Sequence, residues 1–157
     1  MKTKLINSLA LLAACCTLIV IIVSDHSYAQ GRYRGNRYSK ADVDRIIKRV
    51  EESSDHFTKA FDKNLDRSRL DGSSLEDKMN RQVKQFEKEL DELRDDFDRR
   101  DNWLETRDNV QDVIREADEV NRLMRNSRFG RDVEAKWLIV KRDLNKLAGV
   151  YNLKLLK

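Results

Sequence analysis

Between Met79 and Phe97 the apolar residues fall at Met79, Val83, Phe86, Leu90, Leu93 and Phe97, separated by steps of four, three, four, three and four. An α-helix returns side chains to one face at that spacing, and a strand does not. The residues in between are almost all charged, so this stretch carries one apolar seam on an otherwise solvated rod. Such a rod is stable only against partners that bury the seam.

Three more stripes supply those partners. Val43, Ile46, Ile47, Val50, Phe57, Phe61 and Leu65 form the first, thinning at Ser53-Ser54. Leu75 joins the second stripe ahead of Met79. Trp103, Val110, Val113, Ile114, Ala117, Val120 and Met124 form the third, and Val133, Trp137, Val140, Leu144, Leu147 and Tyr151 the fourth. Punctuation falls between them. Ser39 with Asp42, and Ser73 with Glu76, read as capping boxes. Asp71-Gly72 reads as a turn, because glycine tolerates positive φ. Arg99-Arg100-Asp101-Asn102 separates the second and third stripes, with Asn102 as a cap and Glu105 three residues on. Gly130 reads as a left-handed helix stop, and Asp132 as the N-cap of the last helix.

The expected fold is all-α: an antiparallel four-helix bundle over residues 40–152, with helices at about 40–67, 73–100, 102–126 and 132–151 and a tail at 153–157. A long dimeric coiled coil is the alternative. The paired apolar positions Ile46-Ile47 and Val113-Ile114 favour the bundle, since they are wider than a strict two-per-heptad seam. A faint likeness between residues 42–51 and 109–118 fits either a duplicated hairpin or convergent patterning.

The N-terminus reads as an export signal. Lys2 and Lys4 precede an apolar run over residues 5–23, and Ser27-Tyr28-Ala29 is a small-x-small cleavage pattern. Cleavage after Ala29 would send residues 30–157 to the periplasm or the extracellular space. The alternatives are an uncleaved membrane anchor and a lipoprotein acylated at Cys15, within Leu12-Ala13-Ala14-Cys15. Against the lipoprotein, the apolar run continues through Val23 where a polar tether is expected. Cleavage would remove both cysteines and leave no proline and one histidine, His56. No disulfide could then staple the fold. The cut also takes away Lys2, Lys4 and Asp25, lowering the formal net charge from +4 to +3. Signs are mixed along the chain, which argues against nucleic acid as a partner.

These residues exclude more chemistry than they suggest. No thiol nucleophile, Ser–His triad, phosphate loop or four-ligand zinc set is available over residues 30–157, so neither a catalytic residue nor a metal ligand is expected. Residues 87–98 carry seven carboxylates interleaved with Lys88 and Arg94. They read as a solvated, salt-bridged helix face rather than a calcium site. A b-type haem carrier would have only His56, Met79 and Met124 as axial candidates. The methionines fall where packing alone would put them. A chaperone-like binder would need an exposed apolar concave face.

Residues 30–39 form a flexible arm in this reading. Arg32, Tyr33, Arg34, Arg37 and Tyr38 within it suit an anionic surface such as phospholipid headgroups or an envelope polymer. The expected function is a non-enzymatic binding or scaffolding module at the bacterial envelope, without cofactor, as monomer or homodimer. Its partner would be an envelope protein or an anionic surface, with membrane contact otherwise limited to an uncleaved signal segment.

Residues 65–72, ending in Arg69-Leu70-Asp71-Gly72, the pairs Glu76-Asp77 and Phe86-Glu87, and Trp137 with residues 143–153 resemble an uncharacterised family of small exported helical proteins of acidobacteria and related bacteria. The likeness spans roughly residues 40–153. What it implies is a helical, signal-bearing envelope protein, and it brings no functional residues with it.

Overall fold

The computed structural model describes residues 37–157. They form α1 (Lys40–Leu65), α2 (Ser74–Arg99), a 3₁₀ turn (Trp103–Thr106), α3 (Arg107–Asn126) and α4 (Arg131–Val150). Short connections force each helix to run antiparallel to the one before it. The four pack as a bundle in which α1 lies closest to α4 and α2 closest to α3, while the α1/α2 and α3/α4 seams are looser. The signal segment and Arg32, Tyr33 and Arg34 lie outside the described residues.

The caps explain the boundaries. At α1 the box closes both ways: Ser39 Oγ accepts from the Asp42 N–H at 3.1 Å, and Asp42 Oδ2 accepts from the Ser39 N–H at 2.9 Å. At α2 only half of the expected box forms. Ser73 Oγ accepts from the Glu76 N–H at 3.2 Å, but Glu76 Oε2 takes the Gly72 N–H at 2.6 Å instead. Gly72 has φ +71°, and that left-handed turn offers its donor to the helix start. Helix α2 stops where expected, with Arg100 extended. Asn102 Oδ1 then accepts from the Leu104 N–H at 3.2 Å.

Helix α3 proper begins only at Arg107, because residues 103–106 wind tighter. Trp103 inserts into the core there, and Thr106 Oγ1 donates to Trp103 O at 2.8 Å. Glu105, expected to support the cap, pairs with Arg100 at 3.0 Å.

Two expectations about the last turn are corrected. Gly130 is not a left-handed stop: its φ is −68°, and it is itself the N-cap of α4. A Cβ at this position would meet Asn64 Nδ2 at 2.9 Å, so a larger residue here would push that side-chain end aside. Asp132 therefore lies inside the first turn, where it pairs with Lys136 and complements the helix dipole. The left-handed role falls to Asn152, at φ +54°. Leu153 N–H donates to Ala148 O at 2.9 Å across it, completing a Schellman stop for α4.

The core is the set of stripes, with two exceptions. Leu75 is 46% exposed and contributes nothing to the interior, and Ile114 is only partly buried. Ser53 and Ser54, read as a thin place, are buried. Trp137 anchors the centre. Its ring lies 5.0 Å from Phe57 and meets Phe86 edge-on at 6.1 Å, while Phe61 bridges Phe57 and Phe129 at 5.6 and 5.3 Å. Tilted and edge-on pairs of this kind favour one arrangement of the rings over others.

The tail docks. Leu156 is buried, and its N–H and C=O exchange hydrogen bonds with the Asn145 amide at 2.8 and 3.2 Å. Asn121 Nδ2 donates to Lys157 O at 2.7 Å, while Asn121 Oδ1 accepts from Trp137 Nε1 at 3.1 Å. One buried amide thus links α3, α4 and the tail.

Candidate functional site

The closest helix pair, α1 and α4, carries a basic groove on its outer side. Arg45 and Arg49 stand four residues apart on α1 and therefore share a face. Arg142 and Lys146 have the same spacing on α4. Antiparallel packing sets the two pairs beside each other. One stretch of the groove, about 260 Å³, is lined by Arg37, Tyr38, Arg45, Arg49 and Lys146, with Asp42 and Ile46. A second stretch, about 210 Å³, continues past Arg49 to His56, Lys136, Ile139 and Arg142. Arg49 lines both, so the two are one path along the seam.

Of the three acids along this path two are occupied, and the third, Glu52, is exposed at the second stretch and has no cation within 4.0 Å among the described residues. Asp42 caps α1 and pairs with Arg45, and the Ser39 hydrogen bonds hold its carboxyl below the usual carboxylate range. Asp143 is buried and pairs with Arg142 at 3.1 Å. Arg49 and Lys146 have no carboxylate within 4.0 Å among the described residues. One large apolar side chain of α4, Ile139, stands 43% exposed beside these cations. Cations next to a protruding aliphatic side chain suit a wet interface with an anionic, partly apolar surface.

The arm residues that the structure describes belong to this groove. Arg37 is exposed at its end, and Tyr38, read as part of a flexible arm, is half-buried against the core. Arg45, Arg49, Arg142 and Lys146 were not singled out in the sequence. Their i,i+4 spacing off the apolar stripes was the available signal, but joining the pairs requires knowing that α1 packs on α4.

The three haem candidates are not brought together. His56 is exposed in the α1/α4 groove. Met79 and Met124 are core residues, and Met79 borders a hollow between α2 and α3. No group of three His, Cys, Asp or Glu side chains among the described residues is placed to hold a metal ion. Among the described residues the exposed large apolar side chains are Leu75, beside the α2/α3 hollow, Leu138 and Ile139 on α4, and Leu155 in the tail. Among the described residues no helix is long and apolar enough to cross a membrane.

The polar groups buried at the base of the bundle are structural. Tyr151 is fully buried, and its hydroxyl donates to Trp103 O at 3.2 Å and meets Thr106 Oγ1 at 2.8 Å. Burial pushes its pKa up to about 12. A phenol held neutral in this way fastens the 3₁₀ turn to the end of α4 and is closed to solvent.

Comparison of the chain with protein-family models, with curated proteins and with solved structures finds no match.

Proposed function

We propose that this protein is a non-enzymatic, exported binding module that docks on an anionic surface of the bacterial cell envelope through the α1/α4 groove. The observation that carries the reading is the meeting of Arg37 and Tyr38 with Arg49 and Lys146 in one groove, bordered further along by exposed Ile139. Arginine forks match phosphate oxygens two at a time. Each cation near an anionic surface contributes about 1 kcal/mol, lost progressively as salt screens it. The Ile139 side chain then enters the apolar margin of the surface. The N-terminal signal pattern and the family resemblance point to the same compartment. Nothing in this mode of action calls for a nucleophile or a cofactor.

The test is co-sedimentation of the protein with phosphatidylglycerol vesicles. Arg49→Gln with Lys146→Gln is expected to lower partitioning by roughly fivefold per charge removed. Deleting residues 30–37, which leaves Tyr38 on the core and the Ser39 cap in place, is expected to weaken binding further without lowering thermal stability. Unchanged partitioning of both variants would count against the reading.

A further inference from the structure

We propose that the opposite side of α1, its seam with α2, holds a binding site for a primary ammonium group, formed by Ser54, Asp55, Glu87 and Asp91. This goes beyond the surface-docking reading and does not depend on it.

The seam already accommodates one cation of its own. Arg94 reaches across from α2, donating to both carboxylate oxygens of Glu51 at 2.9 and 2.7 Å and to Asp44 Oδ1 at 2.7 Å. Its guanidinium lies 5.8 Å from the Phe97 ring centroid, and its side chain is 17% exposed. A partly sheltered cation between α1 and α2 is therefore a working part of this fold.

Beyond Glu51 the same seam opens into a cleft of about 430 Å³, with Leu90 in its wall and Asp55, Glu87 and Asp91 around it. None of these three carboxylates has a Lys or Arg partner within 4.0 Å among the described residues. The acidic cluster is joined by a second, independent feature. Ser54 lines the cleft, is only 2% exposed, and its Oγ has no hydrogen-bond partner. A serine inside a helix ordinarily returns its hydroxyl to the preceding turn, as Ser53 does to Val50 O at 3.1 Å. A buried hydroxyl left unpaired costs stability unless a ligand supplies the partner. Burial, reinforced by Asp62, Asp55 and Asp91, holds the Glu87 carboxyl above its ordinary range, and a bound cation relieves that crowding.

The chemistry of the ligand follows from the acceptors. An ammonium carries a compact charge and three N–H donors, which suits the Ser54 hydroxyl together with carboxylates from both walls of the cleft, Asp55 on α1 and Glu87 or Asp91 on α2. A guanidinium asks for the flat, two-pronged partner that Glu51 already gives Arg94. A metal ion asks for carboxylates converging within ligand distance, which no three acidic, His or Cys side chains among the described residues do. A quaternary ammonium has no N–H to offer Ser54.

Calorimetric titration of the full-length chain with putrescine at low ionic strength tests this. Saturable binding is expected, weakened about tenfold by Glu87→Gln and severalfold by Ser54→Ala. Asp108→Asn, an exposed position on α3, is expected to leave it unchanged. Ser54→Ala should melt no lower than the natural chain, so its loss of binding is not a loss of fold. A parallel titration with Nα-acetyl-lysinamide identifies the source: tighter binding than putrescine assigns a lysine side chain, and weaker binding a free diamine. Choline should not bind. The proposal is overturned if Ser54→Ala and Glu87→Gln bind putrescine like the natural chain, if no saturable binding occurs, or if Ca²⁺ binds more tightly than either amine.

Discussion

The α3/α4 and α1/α2 seams are both looser than the other two helix contacts, yet they are closed in different ways. The first is filled by the chain itself: the segment after α4 folds back, buries Leu156 and satisfies its backbone on Asn121 and Asn145. The second is bridged at one end by the Arg94 clamp and left open at the other, where carboxylates face one another across a cleft. An apolar plug removes surface from water and leaves no chemistry behind. A charged clamp sets the separation of two helices but keeps acceptors at the surface. The two seams of one small bundle thus divide its labour between stability and recognition.

The contrast can be broken first at the clamp. Arg94→Met leaves Glu51 and Asp44 in the seam without their shared cation and is expected to cost about 2 kcal/mol in urea unfolding, since both acids keep some solvent and Asp44 keeps Lys48. Adding Glu51→Gln to that variant should return part of the loss, because one stranded charge is gone. At the plugged seam, Leu156→Ala is expected to cost about 2 kcal/mol by the same assay, as a truncated core residue. Equal behaviour of Leu156→Ala and the natural chain would mean that the tail does not close the seam.

The bottom of the bundle adds a pH window. The Tyr151 phenol titrates near 10 when exposed and at about 12 when buried. The raised value means that its stabilising contribution is complete below pH 10 and is lost as pH rises through 12. About 2 kcal/mol should disappear over that interval. Tyr151→Phe, compared at each pH, should lose less across the same window. The smallest expected effect is a gain: Ser54→Ala removes an unpaired buried hydroxyl and should stabilise by about 1 kcal/mol.

Much of the fold was legible because helix stripes and caps are local. The alternation from Met79 to Phe97, the Ser39 box, the turn at Gly72 and the break after Arg99 are all decided within one or two turns of chain. What escaped was decided across the bundle. Gly130 sits where the Asn64 side chain comes close, and Leu75, though it continues its stripe, is left 46% exposed. Glu76 prefers the Gly72 N–H to its reciprocal cap. The tail gave no periodic signal, since only one of its leucines, Leu156, is buried.

The sites were less legible still. The acidic run on α2 was read as a solvated face, which Lys88–Glu92 and Arg99–Asp96 pairs support along part of its length. Glu87 and Asp91 differ only because Ser54 and Asp55 of another helix stand opposite them. The basic groove likewise joins residues of α1 to residues of α4 that lie almost a hundred positions away.

Helix α1 divides two grooves of opposite sign, and the proposed function sets the basic one against an anionic surface. Amide chemical-shift mapping of the full-length chain on adding phosphatidylglycerol bicelles tests this most directly. The expected result is perturbation concentrated at Arg45, Arg49, Ile139 and Lys146, with Asp55 and Glu87 unmoved. Perturbation centred on α2, or none at any of the four, would contradict it.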